Sequence, residues 1–242
     1  KRNFGLDRGF MVFDDSTRDV RDAVARSEAW LADNRGTPRF LMLHTYQVHA
    51  PYLPPEPAMQ RVLAEHEGAL MGRDPDPNKF RDIAAENGGR IPREISAVME
   101  ALYDEEVRYA DGVLGAFLDR LEADGRLDSM LVVVTADHGE EFGEHGLLGH
   151  SDSLYVEQLH VPLLVKLPGG RRAGEVDERL VSLIDLAPSL ADAAGLAGHP
   201  ATETFSGRSL LQEGSGSPVY ATRQNEEAGL LHALRDGNDV FM

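Results

Sequence analysis

The ten residues Met130-Leu131-Val132-Val133-Val134-Thr135-Ala136-Asp137-His138-Gly139 decide how this chain is to be read. Five consecutive apolar residues, three of them valine, are too few for a helix and too continuous for a strand with one wet face. They predict a central strand buried on both sides. Polar chemistry begins where the run ends, with Asp137 and His138 ahead of Gly139. In layered α/β folds the functional groups gather in loops at the carboxyl ends of strands, so this junction is the first candidate site.

Working outward, Ser96 to about Glu122 places Val98, Leu102, Val107, Val113, Leu114, Phe117, Leu118 and Leu121 at helical spacing, with Gly125 beyond the end. Asp19 to Asn34 reads as a second amphipathic helix. Phe40-Leu41-Met42-Leu43 reads as another short buried strand, followed by a proline cluster at Pro54, Pro55 and Pro57 that must be looped. Residues 59–93 are polar and rich in Asp, Asn, Gly and Pro, with a short helical pattern near Gln60 to Leu70, and read as a surface insertion. Beyond the central run come a strand at Val161 to Val165, a helix at Leu183 to Ala194, a Gly- and Ser-rich stretch, and short strands at Val219 to Thr222, Leu230 to Arg235 and near the end of the chain. This alternation predicts a layered α/β fold with a largely parallel central sheet flanked by helices.

Composition narrows the function. The 242 residues carry 24 basic and 41 acidic side chains, a net charge of -17, so a nucleic-acid backbone or an anionic membrane is repelled at long range. An anionic substrate would have to be captured by a local positive centre. With no Cys, disulfides, thiolate zinc sites and a cysteine nucleophile are excluded within these residues. No stretch approaches the roughly 20 apolar residues that span a bilayer. Lys1 to Phe13 lacks a signal peptide's apolar run, and the chain opens on Lys rather than Met. A missing N-terminal part is therefore expected, and the compartment (periplasmic, secreted or cytoplasmic) and the oligomeric state stay open.

Two clusters carry chemistry. Between Asp137 and His150 the glycines 139, 143, 146 and 149 let the chain turn sharply, so a carboxylate and an imidazole can converge on one cation. An Asp-His pair alone is a weak signal, because a strand-end Asp more often caps the next helix. The second cluster is His44 and His49, whose imidazoles can donate hydrogen bonds to an anionic oxygen or a leaving group, or can be structural.

The segment FLMLHTYQVHAPY (40–52), together with VVVTADHGEEFGEHGLLGHSDSLYVEQLHVPLLVKLPG (132–169), resembles the sulfatase family of the alkaline phosphatase superfamily. Gly5 to Phe10, Tyr109-Ala110-Asp111 and Val181 to Leu190 agree with the same pattern in the same order. The resemblance implies an alkaline phosphatase-like fold, with Asp137 and His138 as metal ligands, His49 contacting the ester and helping the leaving group depart, and His150 contacting the sulfate or phosphate oxygens. His44 and His145 are accompanying candidates for substrate contact, His145 with no firm transferred role and His44 with a structural role equally open.

The sequence departs from the family pattern twice. His138 stands where many sulfatases have Asn, so calcium, the family's usual ion, faces manganese or zinc as an alternative. Relatives with Asp-His at this place include phosphonate and phosphodiester hydrolases. The family's Asp pair and its C-x-P-x-R or S-x-P-x-R motif, source of the formylglycine nucleophile, are not found; Asp14-Asp15 is a poor stand-in, since no nucleophile motif follows it. The expectation is a partial catalytic domain over 1–242, incomplete at its N-terminus, with 202–242 as the start of the C-terminal part. The function implied is a metal-dependent sulfuric ester hydrolase acting on a small-molecule or glycan sulfate ester, inactive as this fragment. A phosphodiesterase or phosphonate monoester hydrolase, or a non-catalytic anion-binding relative, is the alternative.

Overall fold

The first helix, α1 (Val20–Asp33), begins where Asp19 accepts hydrogen bonds from the backbone N–H groups of Arg21 and Asp22, which satisfies donors the first turn leaves open. A computed structural model describes residues 5–34, 36–70, 76, 79, 82–83, 86–87, 90–150, 153–214, 216–225, 229–237 and 239–241. Chain contacts divide it into two units, Lys1–Arg126 with Phe142–Leu148, and Leu127–Glu141 with Gly149–Met242.

The first unit is built on the 31-residue helix α4 (Arg93–Ala123), on which α1, α2 (Glu56–Glu65) and α3 (Glu67–Leu70) pack. Its core joins Ile95, Val98, Met99 and Leu102 to Tyr52, Val62 and Leu70. Full burial of aliphatic side chains such as Ile95 and Leu102 stabilises by roughly 1.5–3 kcal/mol each. This corrects two sequence expectations. The segment from Met59 to Leu70, expected within a surface insertion, puts Val62 and Leu70 into the core, because α2 and α3 turn their few apolar residues onto α4. On α4 itself, Val107 is exposed while the neighbouring Glu106 is buried.

The second unit is held by β1 (Val132–Thr135) paired with β4 (Leu163–Lys166), in the register Val132↔Lys166 to Thr135↔Leu163. Lys166 locks the entry to β1: its Nζ donates to the carbonyls of Leu127, Asp128 (2.9 Å) and Met130 (3.1 Å). After the β1 loop comes a two-stranded ribbon, β2 (Glu141–Phe142) with β3 (Leu148–Gly149), whose residues from Phe142 to Leu148 count with the first unit; a four-residue helix α5 (Val156–Leu159) precedes β4. Ser182 and Asp185 cap the turn into α6 (Leu186–Ala193) reciprocally. The chain then forms a meander of β5 (Val219–Asn225), β6 (Gly229–Asp236) and β7 (Asp239–Phe241), with Ala233 its buried residue.

The expected largely parallel sheet is not what these strands form. Among the described residues β1 with β4, and β5 with β6 with β7, all pair antiparallel. The connection from β1 to β4 runs through a ribbon and a single helical turn rather than a long crossover helix, and a parallel pair needs such a crossover. Nor is β1 buried on both faces: Val134 is exposed, and so are Leu164 and Val165 on β4. Phe40 to Leu43, expected as a buried strand, belongs to no strand, with Met42 63% exposed and Phe40 against Phe10 at 5.9 Å. No helix among the described residues is long and apolar enough to cross a membrane.

Candidate metal and anion site

Asp137 and His138 stand in the loop directly after β1. The His138 backbone N–H donates to Asp137 Oδ1 at 3.1 Å, which turns the carboxylate back over the loop. His138 Nδ1 lies 2.9 Å from the carbonyl oxygen of its neighbour Gly139. A carbonyl only accepts, so the proton sits on Nδ1 and the lone pair of Nε2 is left for a ligand, the usual arrangement at a metal-binding imidazole. Nε2 is 3.8 Å from Asp137 Oδ1, close enough for one cation to touch both. Asp137 is 75% exposed along its side chain, open to an incoming ion.

His150 joins this pair. Its ring stacks on that of His138 with centroids 4.1 Å apart and a tilt of 32°, and its Nδ1 is 2.9 Å from Glu140 Oε1. Glu140 is nearly buried, so the carboxylate is a fixed anchor that orients the imidazole and sets its tautomer. The ring contact thus sets His150 beside His138, while Asp137 and His138 are the pair whose donor atoms lie within reach of one cation.

Close backbone packing holds the loop. The Gly139 N–H donates to the Gln158 carbonyl at 2.8 Å, and a Cβ on Gly139 would fall 1.9 Å from the carbonyl oxygen of Glu157. Only glycine admits that approach. Beneath it Glu141 is fully buried and accepts hydrogen bonds from Ser153 Oγ (2.8 Å) and from Gln158 Nε2. Among the described residues its other oxygen, Oε1, has no hydrogen-bond partner.

The remaining candidates lie in the first unit. His44 and His49 flank Tyr46, edge to face at 5.0 and 5.5 Å between ring centroids. His49 is exposed, with Nδ1 2.6 Å from the Ala50 carbonyl. The Ala50–Pro51 peptide is cis, and Tyr52 is driven into the core against Tyr103 and Phe142. A buried aromatic three residues beyond an exposed histidine pins one end of the loop that carries it. His145 is exposed in the turn between β2 and β3, where the Gly146 N–H donates to the Gly143 carbonyl. The structure thus joins Asp137, His138 and His150 in one cluster, and His44 and His49 in another.

The family model for sulfatases matches residues 13–196. The chain belongs to the sulfatase family. Among curated relatives, this sulfatase-family chain is 28% identical over 236 residues to the multifunctional alkaline phosphatase superfamily protein PehA of Trinickia caryophylli, a match covering 89% of this chain and 44% of that protein. It is 33% identical over 143 residues to arylsulfatase K of Danio rerio, covering 59% of this chain and 26% of the relative. The chain spans less than half the length of these relatives. Among solved structures, the phosphonate monoester hydrolase of Agrobacterium radiobacter superposes with a TM-score of 0.65 at 22% identity, over 88% of this chain and 49% of that one. That likeness is one of fold, and it is the alkaline phosphatase-like fold the sequence resemblance implied.

Two participants were not singled out from sequence. Glu140, the anchor of His150, was hidden in a loop where acidic residues are common. Glu106 left a readable sign: a carboxylate flanked at i−4 and i+4 by the buried Leu102 and Ala110 sits on the core stripe of its helix, where it needs partners. Burial pushes its carboxyl above the ordinary glutamate range, the charge of Asp19 pushes the same way, and hydrogen bonds from Gln47 and Leu53 oppose both.

Proposed function

We propose that this chain forms the metal-holding and anion-contacting part of a metal-dependent sulfuric ester hydrolase. The observation that carries the reading is the Asp137–His138–His150 cluster at the end of β1, with His138 Nε2 free to ligate and His150 fixed on Glu140, in a chain of the sulfatase family. Asp137 and His138 would hold one divalent ion; calcium is the family's usual choice, and the imidazole favours manganese or zinc. Such an ion polarises the ester oxygens as a Lewis acid. His150, oriented by Glu140, contacts a sulfate or phosphate oxygen in this reading. His49 contacts the ester and helps the alcohol depart, and His44 and His145 contribute further substrate contacts. These residues hold no Cys and no Ser-x-Pro-x-Arg, so in this reading they supply no formylglycine nucleophile and turn nothing over alone.

A second reading is favoured by one residue. His138 in place of Asn, with the multifunctional PehA as a relative, supports a phosphodiester or phosphonate monoester as substrate. Metal analysis by inductively coupled plasma of the wild type against Asp137→Ala and His138→Ala tests the site. The wild type should retain about one equivalent of a divalent metal and both variants should lose it; equal metal in all three removes these residues as ligands. The preference between the two ester classes is read by assaying an aryl sulfate against an aryl phosphodiester on a form that includes the nucleophile.

A further inference from the structure

Glu106 lies in the middle of α4, 2% exposed, and no ester or metal chemistry proposed above uses it. Its two oxygens reach the loop that carries His49. Oε2 accepts from Gln47 Nε2 at 2.6 Å, and Oε1 accepts from the Leu53 backbone N–H at 2.8 Å. The two acceptors bracket the seven residues 47–53, with His49, the cis Ala50–Pro51 peptide and buried Tyr52 between them. Gln47 completes a relay, because its Oε1 accepts from the Val20 N–H at the start of α1. A buried carboxylate is costly unless its lone pairs are filled, so α4 and the loop hold each other in one arrangement.

We propose that Glu106 is a positioning residue that, through Gln47 and Leu53, fixes the loop so that His49 faces the ester. This rests on the reading of His49 as the ester-contacting histidine. The hydrogen-bond polarity gives a specific expectation. In Glu106→Gln, an amide that accepts from Leu53 presents its own NH2 to that of Gln47, and flipping Gln47 sets its NH2 against the Val20 N–H. In Gln47→Glu, two carboxylates face each other. In the double variant Gln47→Glu/Glu106→Gln every donor again meets an acceptor: residue 106 donates to residue 47 and accepts from Leu53, and residue 47 accepts from Val20.

The test compares these three variants with the wild-type chain by hydrogen exchange over 47–53 and by the His49 ring signal in NMR, with and without inorganic sulfate. Each single variant should raise exchange in the loop about ten-fold or more, as expected for losing a hydrogen bond to a charged acceptor, and should displace or broaden the His49 signal. The double variant should restore both. Leu102→Val, which loosens the same core without touching the relay, should lower the melting temperature and leave the His49 signal in place. Failure of the double variant to restore the loop, or a Glu106→Gln chain with wild-type exchange and His49 signal, overturns the proposal. Should Glu106→Gln not fold, Gln47→Ala removes the side-chain limb alone and must show the same loosening. If the swap restores the loop but sulfate never shifts His49 in the wild type, the positioning stands and the reading of His49 falls.

Discussion

Replacing Gly139 by Ala puts a methyl group 1.9 Å from the Glu157 carbonyl oxygen, 3.0 Å from its carbon and 3.3 Å from the Gln158 Cα. Every one of these is backbone, so no side chain can swing away. A carbon and an oxygen need well over 3 Å between them, so the His138 loop and α5 must separate by more than ~1 Å. That movement breaks the 2.8 Å hydrogen bond from the Gly139 N–H to Gln158. Overpacking of this kind costs about 1–3 kcal/mol and the lost bond about 1 kcal/mol, a local penalty of about 2–4 kcal/mol. Gly115→Ala supplies the opposite sign from the same chemical change: it lies inside α4 with open space around its ideal Cβ, so the added methyl should stabilise by ~0.5–1 kcal/mol. Native-state hydrogen exchange resolves the two. For Gly139→Ala, amides of β1 and of 156–160 should exchange roughly 30- to 900-fold faster, the factor that corresponds to 2–4 kcal/mol, and bound metal should fall. Wild-type exchange in both segments would refute the close approach and the loop geometry built on it.

Leu102→Ala, fully buried in the first unit, should cost about 2–5 kcal/mol in denaturant unfolding followed through the single Trp. Lys166→Met strips three carbonyl acceptors of their donor at the entry to β1 and should cost about 1–3 kcal/mol, read as a lower melting temperature with exchange raised first at 127–135. Glu106 sets a pH dependence. Its folded form holds a proton more tightly than the unfolded chain does, so stability is highest below the unfolded value and declines as pH rises from the ordinary glutamate range through the raised folded one. The Gln47→Glu/Glu106→Gln chain, whose charge has moved, should titrate differently in melts across that range. Asp177 runs the other way: the hydrogen bond from Arg179 holds its carboxyl down at about 2, so its contribution is present above the ordinary aspartate range and fades as pH falls through about 2. Arg179→Gln should return the Asp177 carboxyl resonance to an ordinary midpoint in a carbon NMR titration.

The helices were legible because helical order is local. The spacing of Val98, Leu102, Phe117 and Leu121 marks the buried face of α4, and Asp19 marks the start of α1. Strand pairing was not legible in the same way. An apolar run such as Val132 to Val134 records a preference for extended backbone, while the direction of its partner depends on the path of the intervening chain. The same run overstated burial, since valine also lines half-open strands. At the candidate site, the glycine spacing pointed to a tightly folded loop, and the rings of His138 and His150 lie against each other there. The supports of His150 and of the His49 loop were missed because Glu140 and Glu106 are acidic residues in a strongly acidic chain, and only packing separates a buried carboxylate from a solvated one.

The open β1–β4 pair has a practical consequence. Leu164, Val165 and Val134 present apolar surface on a two-stranded sheet, and among the described residues no further strand covers either edge. An edge of this kind is a template that another chain can extend, strand against strand. Preparations of these residues should therefore show concentration-dependent self-association that the charge of -17 slows at low salt and that added salt accelerates by screening it. A charged substitution at Leu164, already 63% exposed, should raise solubility at little cost in stability.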